Sequence, residues 1–456
     1  MQKNQEIILE ITDYTAEGSG VGKYEGMAVF VPETAVGDTI KALILKVKKT
    51  YAFGKVLEII KPSSNRCSCD CGVFSKCGGC AFRHINYEAE KTFKENKVYE
   101  AVKRIGGVDM KPQPIIYDKD LRYRNKVQYP VNFDGKAGFY AFHSHRIVPM
   151  NDCLLQPIEF KGIISVIENW IKKNGISVYN EENGKGLIRH IFIRKAEKTN
   201  EIMVALVINS DDISQKDELI NELLKENSNI KSIGLNINKN RTNVILGNLS
   251  KTIYGEDYIT DILCGIKVRL SLLSFYQVNR DMAEKLYNKA REYAKPENKT
   301  VLDLYCGAGT IGLSMAREAK KVIGVEIIPE AVKDAEFNAK NNGIKNARFI
   351  CGDAAKAAEK LAEENIKTDV VIVDPPRKGC SEELIKTIAY KFSPARVVYV
   401  SCDPATLARD IKLFSENGYK LIEYTPADLF PRTSHVETAA LLKRCFNNES
   451  PYGELS

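Results

Sequence analysis

The stretch Thr300-Val-Leu-Asp-Leu-Tyr-Cys-Gly-Ala-Gly-Thr310 joins an apolar strand to a glycine-rich turn. A helical sequence begins at Ile311, and a glycine-rich loop between a strand and a helix is the setting in which a nucleotide-type cofactor is bound. Glycine lets the backbone approach a ligand closely, and Asp303 can order the loop. Gly307, Gly309 and Gly312 also satisfy the dinucleotide pattern, so the loop by itself does not exclude NAD.

Strand-like and helix-like sequences alternate beyond this stretch, as far as the strand that ends at Ser401. This order predicts a doubly wound, Rossmann-like α/β domain with a parallel sheet and helices on both faces. Acidic residues end three of its strands, at Glu326, Asp353 and Asp374. Glu326 is expected to accept hydrogen bonds from ribose hydroxyls, and Asp353 to meet an adenine edge.

The chain has 456 residues, which suggests about two to four domains. Residues 1–61 contain short strands separated by glycine turns, which predicts a small β-barrel. Residues 62–262 form a central α+β region, with helices predicted over 88–105 and 213–226 and an antiparallel sheet including 188–194, 202–208 and 232–238. Residues 263–456 form the doubly wound domain.

Composition indicates a globular protein, with 44% apolar and 27% charged residues. The formal charge of +7 permits a nucleic-acid partner without requiring one. The first ten residues lack the apolar core of a secretory signal, and no run is apolar enough to span a membrane, so a cytoplasmic protein is expected. The sequence indicates no obligatory protein partner.

Five of the twelve cysteines lie between Cys67 and Cys80. In a cytoplasmic protein such clustering indicates metal or catalysis more often than disulfides. Cys71, Cys77 and Cys80 together with a distant cysteine offer four thiolates, enough for one iron–sulfur cluster. Tetrahedral zinc is the chemical alternative.

Cys402 follows the apolar strand that ends at Ser401. A thiol at the carboxyl end of a strand, beside a cofactor loop, lies where a nucleophile would be held. The alternative is a buried core residue, since free cysteine is among the most buried residue types.

Four motifs of the carboxyl-terminal part resemble the RNA uracil-5 methyltransferase family, and they occur in that family's order. They are Ser274-Phe-Tyr-Gln-Val-Asn279, Asp374-Pro-Pro-Arg377, Ser401-Cys-Asp-Pro404 and His435-Val-Glu-Thr438. At the amino terminus, Gly18-Ser-Gly-Val-Gly22 and the basic stretch Lys46-Val-Lys-Lys49 resemble a TRAM domain, a small RNA-binding barrel. With the cysteine cluster, these features are similar to the family branch that modifies 23S ribosomal RNA and carries a [4Fe-4S] cluster. The chain departs from the family pattern at Thr310, Asp403 and Arg432, and Arg377 departs from the aromatic residue that base N-methyltransferases carry there.

The resemblance implies S-adenosylmethionine-dependent methylation of uridine at C5, with a transient bond between Cys402 and C6. It implies Cys402 as the nucleophile, with a lowered pKa in a locally positive site, and Glu437 as the base that removes the C5 proton. The residues implied for S-adenosylmethionine are Gln277, Tyr305, Glu326, Asp353 and Asp374. The cluster ligands implied are Cys71, Cys77, Cys80 and Cys153.

Phe275 is expected to stack against a flipped base. Arg122, Arg124 and Lys126 combine cations with an aromatic neighbour and are expected to contact phosphates, with a solvated loop as the alternative. Three other functions remain open: the same chemistry on transfer RNA, an N-methyltransferase that needs neither Cys402 nor Glu437, and a non-catalytic RNA-binding iron–sulfur protein.

Overall fold

The computed structural model describes residues 1–142 and 144–445. The last eleven residues of the 263–456 region therefore lie outside the described part of the chain. No helix in the described part is long and apolar enough to cross a membrane.

The amino-terminal segment closes into a five-stranded barrel in the order β1-β2-β3-β5-β4. Its strands are β1 (Glu6–Tyr14), β2 (Gly20–Tyr24), β3 (Met27–Val31), β4 (Thr39–Val47) and β5 (Tyr51–Lys61). Alternate residues point inward, as period-2 strands require, so that Ile7, Leu9 and Ile11 of β1 fill the barrel. The barrel predicted from the sequence is confirmed.

Helix α1 covers Tyr87–Arg104 and follows residues 67–85, called here the cysteine-rich segment. Asn86 caps it by accepting a hydrogen bond from the Ala89 amide at 2.8 Å. Val98 and Val102 pack into the core of the carboxyl-terminal sheet, against helix α9 (Pro404–Glu416). The helix ends one residue earlier than predicted, which leaves Ile105 outside the apolar face and 44% exposed.

The central region contains one five-stranded sheet in the order β12-β11-β10-β9-β6, with two helices on one face. The elements of this region are β6 (Lys126–Pro130), β7 (Gly138–Tyr140), β8 (Ile147–Pro149), α2 (Glu159–Lys173), β9 (Ile188–Lys195), β10 (Ile202–Ile208), α3 (Lys216–Glu226), β11 (Ile230–Ile237) and β12 (Leu249–Gly255). The expectation of an antiparallel sheet is wrong for one pair, since β10 and β11 are parallel. Helix α3 connects them as a crossover, and a crossover is what parallel neighbours need.

A hairpin of β13 (Tyr258–Leu263) and β14 (Ile266–Ser271) leads into a seven-stranded sheet in the order β17-β16-β15-β18-β19-β21-β20. The remaining elements are α4 (Arg280–Ala294), β15 (Thr300–Leu304), α5 (Thr310–Met315), β16 (Lys321–Glu326), α6 (Pro329–Asn341), β17 (Ala347–Cys351), α7 (Ala354–Glu363), β18 (Val370–Val373), α8 (Glu382–Lys386), a π-helical turn at Thr387–Phe392, β19 (Arg396–Ser401), β20 (Tyr419–Ala427) and β21 (Glu437–Arg444).

This sheet confirms the Rossmann-like architecture, but it is not wholly parallel. Strand β21 runs antiparallel to both of its neighbours, β19 and β20. The reason is that residues 428–436 connect β20 directly to β21, without the crossover helix that a parallel strand would need. The amino end of β21 consequently lies at the edge where the parallel strands have their carboxyl ends.

Candidate active site

Cys402 and Glu437 come from different strands and meet at the carboxyl edge of the seven-stranded sheet. Cys402 follows the last residue of β19, and Glu437 is the first residue of β21. Ser401 is paired with Thr438, so the two functional side chains belong to neighbouring positions of adjacent strands. The antiparallel direction of β21 is what brings Glu437 to this edge.

Asp374 lies at the same edge, one strand away, because it follows β18 and β18 pairs with β19. Pro375 and Pro376 hold the chain extended after it. Asp374, Cys402 and Glu437 all line one cavity of about 1140 Å³. A thiol, a buried carboxyl group and a strand-end aspartate therefore face a common space.

The glycine-rich loop forms another wall of this cavity. Gly309 has φ = +79°, and a Cβ there would lie 2.9 Å from the ring of Phe349, so the turn requires glycine. The Gly312 amide donates a hydrogen bond to Asp303 Oδ2 at 2.8 Å, as expected for a residue that orders the loop. Burial raises the pKa of Asp303 to about 7.

Both carboxylate oxygens of Glu326 accept backbone hydrogen bonds, from Gly307 at 3.0 Å and from Ile328 at 2.9 Å. These bonds fix the carboxylate beside the glycine-rich loop, and its remaining lone pairs are available to ribose hydroxyls. Asp353 caps helix α7 by accepting from the Ala355 amide at 3.1 Å, which fixes its position at the next strand end.

All the residues predicted to bind the cofactor line the same cavity as the predicted catalytic residues and Phe275. They are Gln277, Tyr305, Glu326, Asp353 and Asp374. Tyr287 was missed by sequence reasoning: it lines the cavity, and its hydroxyl contacts Gln277 and Thr310. The residues present fit a nucleoside-type cofactor, because the cavity combines a glycine loop with fixed carboxylates.

The expected low pKa of Cys402 is wrong for the protein without substrate. Burial raises the pKa of the thiol to about 11, and the negative charges of Glu437 and Asp374 act in the same direction. Burial likewise raises the pKa of Glu437 to about 8, with a further contribution from Asp374. Both groups therefore favour their protonated forms near neutral pH.

Arg377 is the cation that opposes these shifts, since its charge lowers the pKa of both Cys402 and Glu437. It is the fourth residue of the Asp374-Pro-Pro-Arg377 motif and is exposed at the edge of the site. The sequence shows an arginine where base N-methyltransferases carry an aromatic residue, but the effect of this arginine on Cys402 and Glu437 depends on the fold.

The cysteines predicted to bind a metal cluster line a second cavity, of about 1090 Å³, which also reaches Cys402 and Glu437. These cysteines are Cys71, Cys77, Cys80 and Cys153. Burial raises the pKa of Cys80 to about 12, and the charges of the other three thiols act in the same direction. The donor set matches a four-thiolate cluster in kind, but within residues 1–142 and 144–445 no three or more Cys, His, Asp or Glu side chains stand close enough to hold a metal ion.

The three predicted RNA-contacting cations differ in their surroundings. Arg122 forms two hydrogen bonds with the Asp152 carboxylate, at 2.6 and 2.8 Å, and so supports the loop that carries Cys153. Arg124 and Lys126 line both cavities. Burial and the charges of two arginines lower the pKa of Lys126 to about 8. Phe275 is 73% exposed in the first cavity, which leaves its ring accessible.

Comparison with protein families gives two matches in different parts of the chain. The family model described as tRNA (uracil-5-)-methyltransferase matches residues 199–445. The TRAM domain model matches residues 2–57, which include almost all of the barrel.

Individual relatives match almost the full length of the chain. An uncharacterized RNA methyltransferase of Clostridium acetobutylicum is 45% identical over 452 residues, covering 97% of this chain and 98% of that protein. Another from Halalkalibacterium halodurans is 43% identical over 450 residues, with the same coverage of 97% and 98%. Among solved structures, Pyrococcus abyssi tRNA (uracil-54, C5)-methyltransferase in complex with S-adenosyl-L-homocysteine superposes with a TM-score of 0.78 and 26% identity, covering 96% of this chain and 100% of that one.

Proposed function

The chain belongs to the tRNA (uracil-5-)-methyltransferase family and is an S-adenosylmethionine-dependent RNA uracil-5 methyltransferase, and on that premise we propose that it methylates uridine in 23S ribosomal RNA through a covalent Cys402 adduct. The observation that carries the mechanism is the placement of Cys402 and Glu437 on adjacent strands beside one cavity. The aromatic ring of Phe275 at the cavity supports entry of a flipped base.

The uracil ring needs activation, because its C5 atom is a weak nucleophile. The Cys402 thiolate adds to C6, which forms an S–C6 bond and moves the electrons of the C5=C6 double bond into an enolate. When S-adenosylmethionine is bound in the glycine-loop cavity, its sulfonium supplies the methyl group that C5 takes. Glu437 then removes the C5 proton, and the electron pair left behind restores the double bond and expels the Cys402 thiolate.

The mechanism is tested with Glu437→Gln, because an amide cannot accept the C5 proton. Methyl transfer should proceed while elimination stalls, leaving enzyme and methylated RNA joined on a denaturing gel. Glu416→Gln, an exposed carboxylate at the end of α9, is the matched control and should leave no adduct. Absence of any adduct with Glu437→Gln would contradict the assignment of the base.

Two classes of RNA are candidate substrates. The barrel and the cysteine cluster favour 23S ribosomal RNA by resemblance. Transfer RNA is the second candidate, because the Pyrococcus abyssi enzyme that covers 96% of this chain is a tRNA (uracil-54, C5)-methyltransferase. An aligned region this extensive includes both barrel and cysteine-rich segment, so these parts discriminate weakly between the two targets.

Mapping 5-methyluridine in cells that lack this protein decides between the targets. We expect loss of 5-methyluridine at one or more sites of 23S ribosomal RNA, with transfer RNA unchanged. Return of the modification with the wild-type gene but not with Cys402→Ala is the control. Loss in transfer RNA alone would replace the proposed substrate with the second candidate.

We also propose that Cys71, Cys77, Cys80 and Cys153 hold a [4Fe-4S] cluster of structural role. Their common cavity and four-thiol donor set support this, and Arg122 braces the loop of the fourth ligand. Binding requires the four thiols to move closer together than they stand in this structure. Iron and sulfide analysis after anaerobic purification should give four of each per chain. Cys77→Ser should lose both, whereas Cys69→Ser should retain them, and stoichiometric zinc instead would contradict the cluster.

A further inference from the structure

The residues between β20 and β21 form a connection that ends at the proposed base. Strand β20 ends at Ala427, and residues 428–436, called here the 428–436 segment, lead directly into Glu437. Any shift of this segment moves the start of β21 and with it the Glu437 carboxyl group. How the segment is held therefore decides where the base stands.

The start of the segment is held by a lysine of α1. Lys94 is fully buried, and its ammonium donates hydrogen bonds to Glu90 at 2.6 Å and to Asp428 at 2.7 Å. It also donates to the Phe430 carbonyl at 3.2 Å, and the Tyr87 hydroxyl donates to the other oxygen of Asp428 at 2.9 Å. Two residues of the 428–436 segment are thus bound to one helix.

The middle of the segment is held by Arg432, which has φ = +69°. Its amide donates to Glu90 at 2.7 Å, and its guanidinium donates to the carbonyls of Phe82 and Ile85 at 3.3 and 3.1 Å and to Asp120. A left-handed conformation is costly for a residue with a Cβ, so these bonds hold the segment in a shape it would not adopt freely. They link it to the end of the cysteine-rich segment.

The end of the segment is held by Lys97, one helical turn beyond Lys94 on α1. The Lys97 ammonium donates to the Ser434 carbonyl at 2.9 Å and to the Ala16 carbonyl of the barrel at 2.8 Å. The Lys97 side chain therefore links three parts of the chain, namely the amino-terminal barrel, helix α1 and Ser434, which lies three positions before Glu437.

Aromatic contacts strengthen the same junction. The rings of Tyr14 from the barrel, Phe82 from the cysteine-rich segment and Phe93 from α1 meet edge-to-face, with centroids 4.9 to 5.7 Å apart. These contacts restrict the movement of the three rings, because each ring packs against the other two. Helix α1 is thereby fixed to both amino-terminal parts before it reaches the 428–436 segment.

We infer that Lys97 is a positioning residue for Glu437: by tying Ser434 to the barrel and to α1, it holds the base where the C5 proton will be. The inference rests on the proposed function, because it assigns Lys97 an effect on the proton-removal step alone. Lys97 itself touches no reacting atom in this arrangement. Its effect should appear as slow elimination, with binding of RNA preserved.

The test compares Lys97→Met with Lys97→Arg, which keeps a donor, and with Lys103→Met, an exposed lysine of the same helix paired with Asp109. A misplacement of about 1 Å can cost on the order of 100-fold in rate, so Lys97→Met should lower kcat by at least about tenfold. Its KM for RNA should fall together with kcat, because an adduct that accumulates before a slow elimination lowers both, whereas the Kd for RNA should stay within about twofold of wild type. Methylated adduct should accumulate on a denaturing gel, whereas Lys97→Arg and Lys103→Met should turn over without it.

A double variant separates positioning from a general structural effect. If Lys97 acts through Glu437, Lys97→Met should add nothing to the defect of Glu437→Gln, because the base is already absent. Additive losses, a raised KM alone, or wild-type turnover by Lys97→Met would each overturn the inference while leaving the proposed function intact. Should Glu437→Gln give no adduct, the proposed assignment of Glu437 as the base fails, and this inference with it. Lys97→Gln serves in the same assays if Lys97→Met does not fold.

Discussion

The Cys402 thiol and the Glu437 carboxyl group share a site that disfavours negative charge. Glu437 is 6% exposed, and burial raises its pKa to about 8, while that of Cys402 rises to about 11. In the proposed mechanism each group acts in its deprotonated form, Glu437 as the base and Cys402 as the nucleophile. The burial of this pair should therefore also determine the pH range in which the proposed reaction is fast.

The first prediction concerns the pH dependence of turnover. Because both groups must lose a proton to act, the rate should rise by about a hundredfold per pH unit below a pKa near 8, and by about tenfold per unit above it, where only Cys402 is still ionising. Replacing Arg377 by Gln removes the charge that lowers both pKa values, so the profile should move to higher pH, by on the order of one unit. Initial rates at saturating RNA between pH 6.5 and 9.5 measure this.

Lys386→Gln is the control for this series, because it removes an exposed charge of α8 that pairs with Glu382 and lines neither cavity. A profile that is flat across this range, or an Arg377→Gln profile that moves to lower pH, would contradict the electrostatic account.

The second prediction concerns the nucleophile. RNA carrying 5-fluorouridine cannot lose fluorine as a proton is lost, so the adduct should persist once the methyl group has been transferred. Mass spectrometry of the digested complex should find the RNA on the peptide that contains Cys402. Cys402→Ala should form no adduct and retain less than about a thousandth of the turnover, while Cys351→Ala, at an exposed thiol, should behave as wild type. A crosslink at another residue would reject Cys402.

The role of helix α1 does not follow from the residues next to it in the sequence, because it depends on contacts with distant parts of the chain. Its apolar residues Val98 and Val102 pack on the seven-stranded sheet, whereas its buried Lys94 lies between Glu90 and Asp428. A cation between two carboxylates compensates negative charges that would otherwise be buried without a partner. The helix thus combines an ordinary apolar face with an ionic attachment to the 428–436 segment.

The third prediction concerns this attachment. Lys94→Met leaves Glu90 and Asp428 buried without their cation, so the free energy of unfolding should fall by about 3 to 5 kcal/mol at pH 8. Burial already raises the pKa of Glu90 to about 7, and Lys94 opposes that shift. The deficit should therefore shrink as the pH falls towards 5, because a protonated carboxyl needs no cation.

Urea unfolding at both pH values measures the deficit, with Lys103→Met as the surface control. The control should leave the free energy of unfolding almost unchanged, because exposed ion pairs contribute little to stability. A Lys94→Met deficit that grows at low pH would contradict this explanation.

At the scale of the whole molecule, the barrel presents a basic and aromatic surface. Lys46, Lys48 and Lys49 are exposed at the end of β4. Tyr51 and Phe53 of β5 pack against Phe30 with ring centroids 5.3 and 5.8 Å from it. Cations beside accessible rings are suited to phosphates and bases of RNA.

The fourth prediction concerns the salt dependence of RNA binding. If the three lysines contact phosphates, replacing all of them by Gln should weaken binding at low salt and reduce the slope of log affinity against log salt by about two to three units. Filter binding or anisotropy at several salt concentrations measures this. A triple Gln variant at Lys172, Lys216 and Lys225 of α2 and α3 is the control, and an equal loss there would show a merely non-specific effect.

The sequence by itself determined the architecture and the kinds of residues at the site. Alternating strands and helices around the glycine loop specify the doubly wound domain, because hydrophobic period and turn residues are local properties. The short amino-terminal strands likewise indicate the barrel. The motifs alone predict Cys402 as the nucleophile and Glu437 as the base, because these roles depend on the type of residue.

Only the tertiary structure decided how these parts meet. The parallel pairing of β10 with β11 and the antiparallel direction of β21 depend on connections between distant segments, which no local pattern encodes. The pKa of Cys402 rises, contrary to expectation, because folding buries it beside two carboxylates from other strands. The position of Lys97 near Glu437 depends on the fold for the same reason. Charges and contacts act between atoms that are close in space, and only folding brings these distant segments of the chain together.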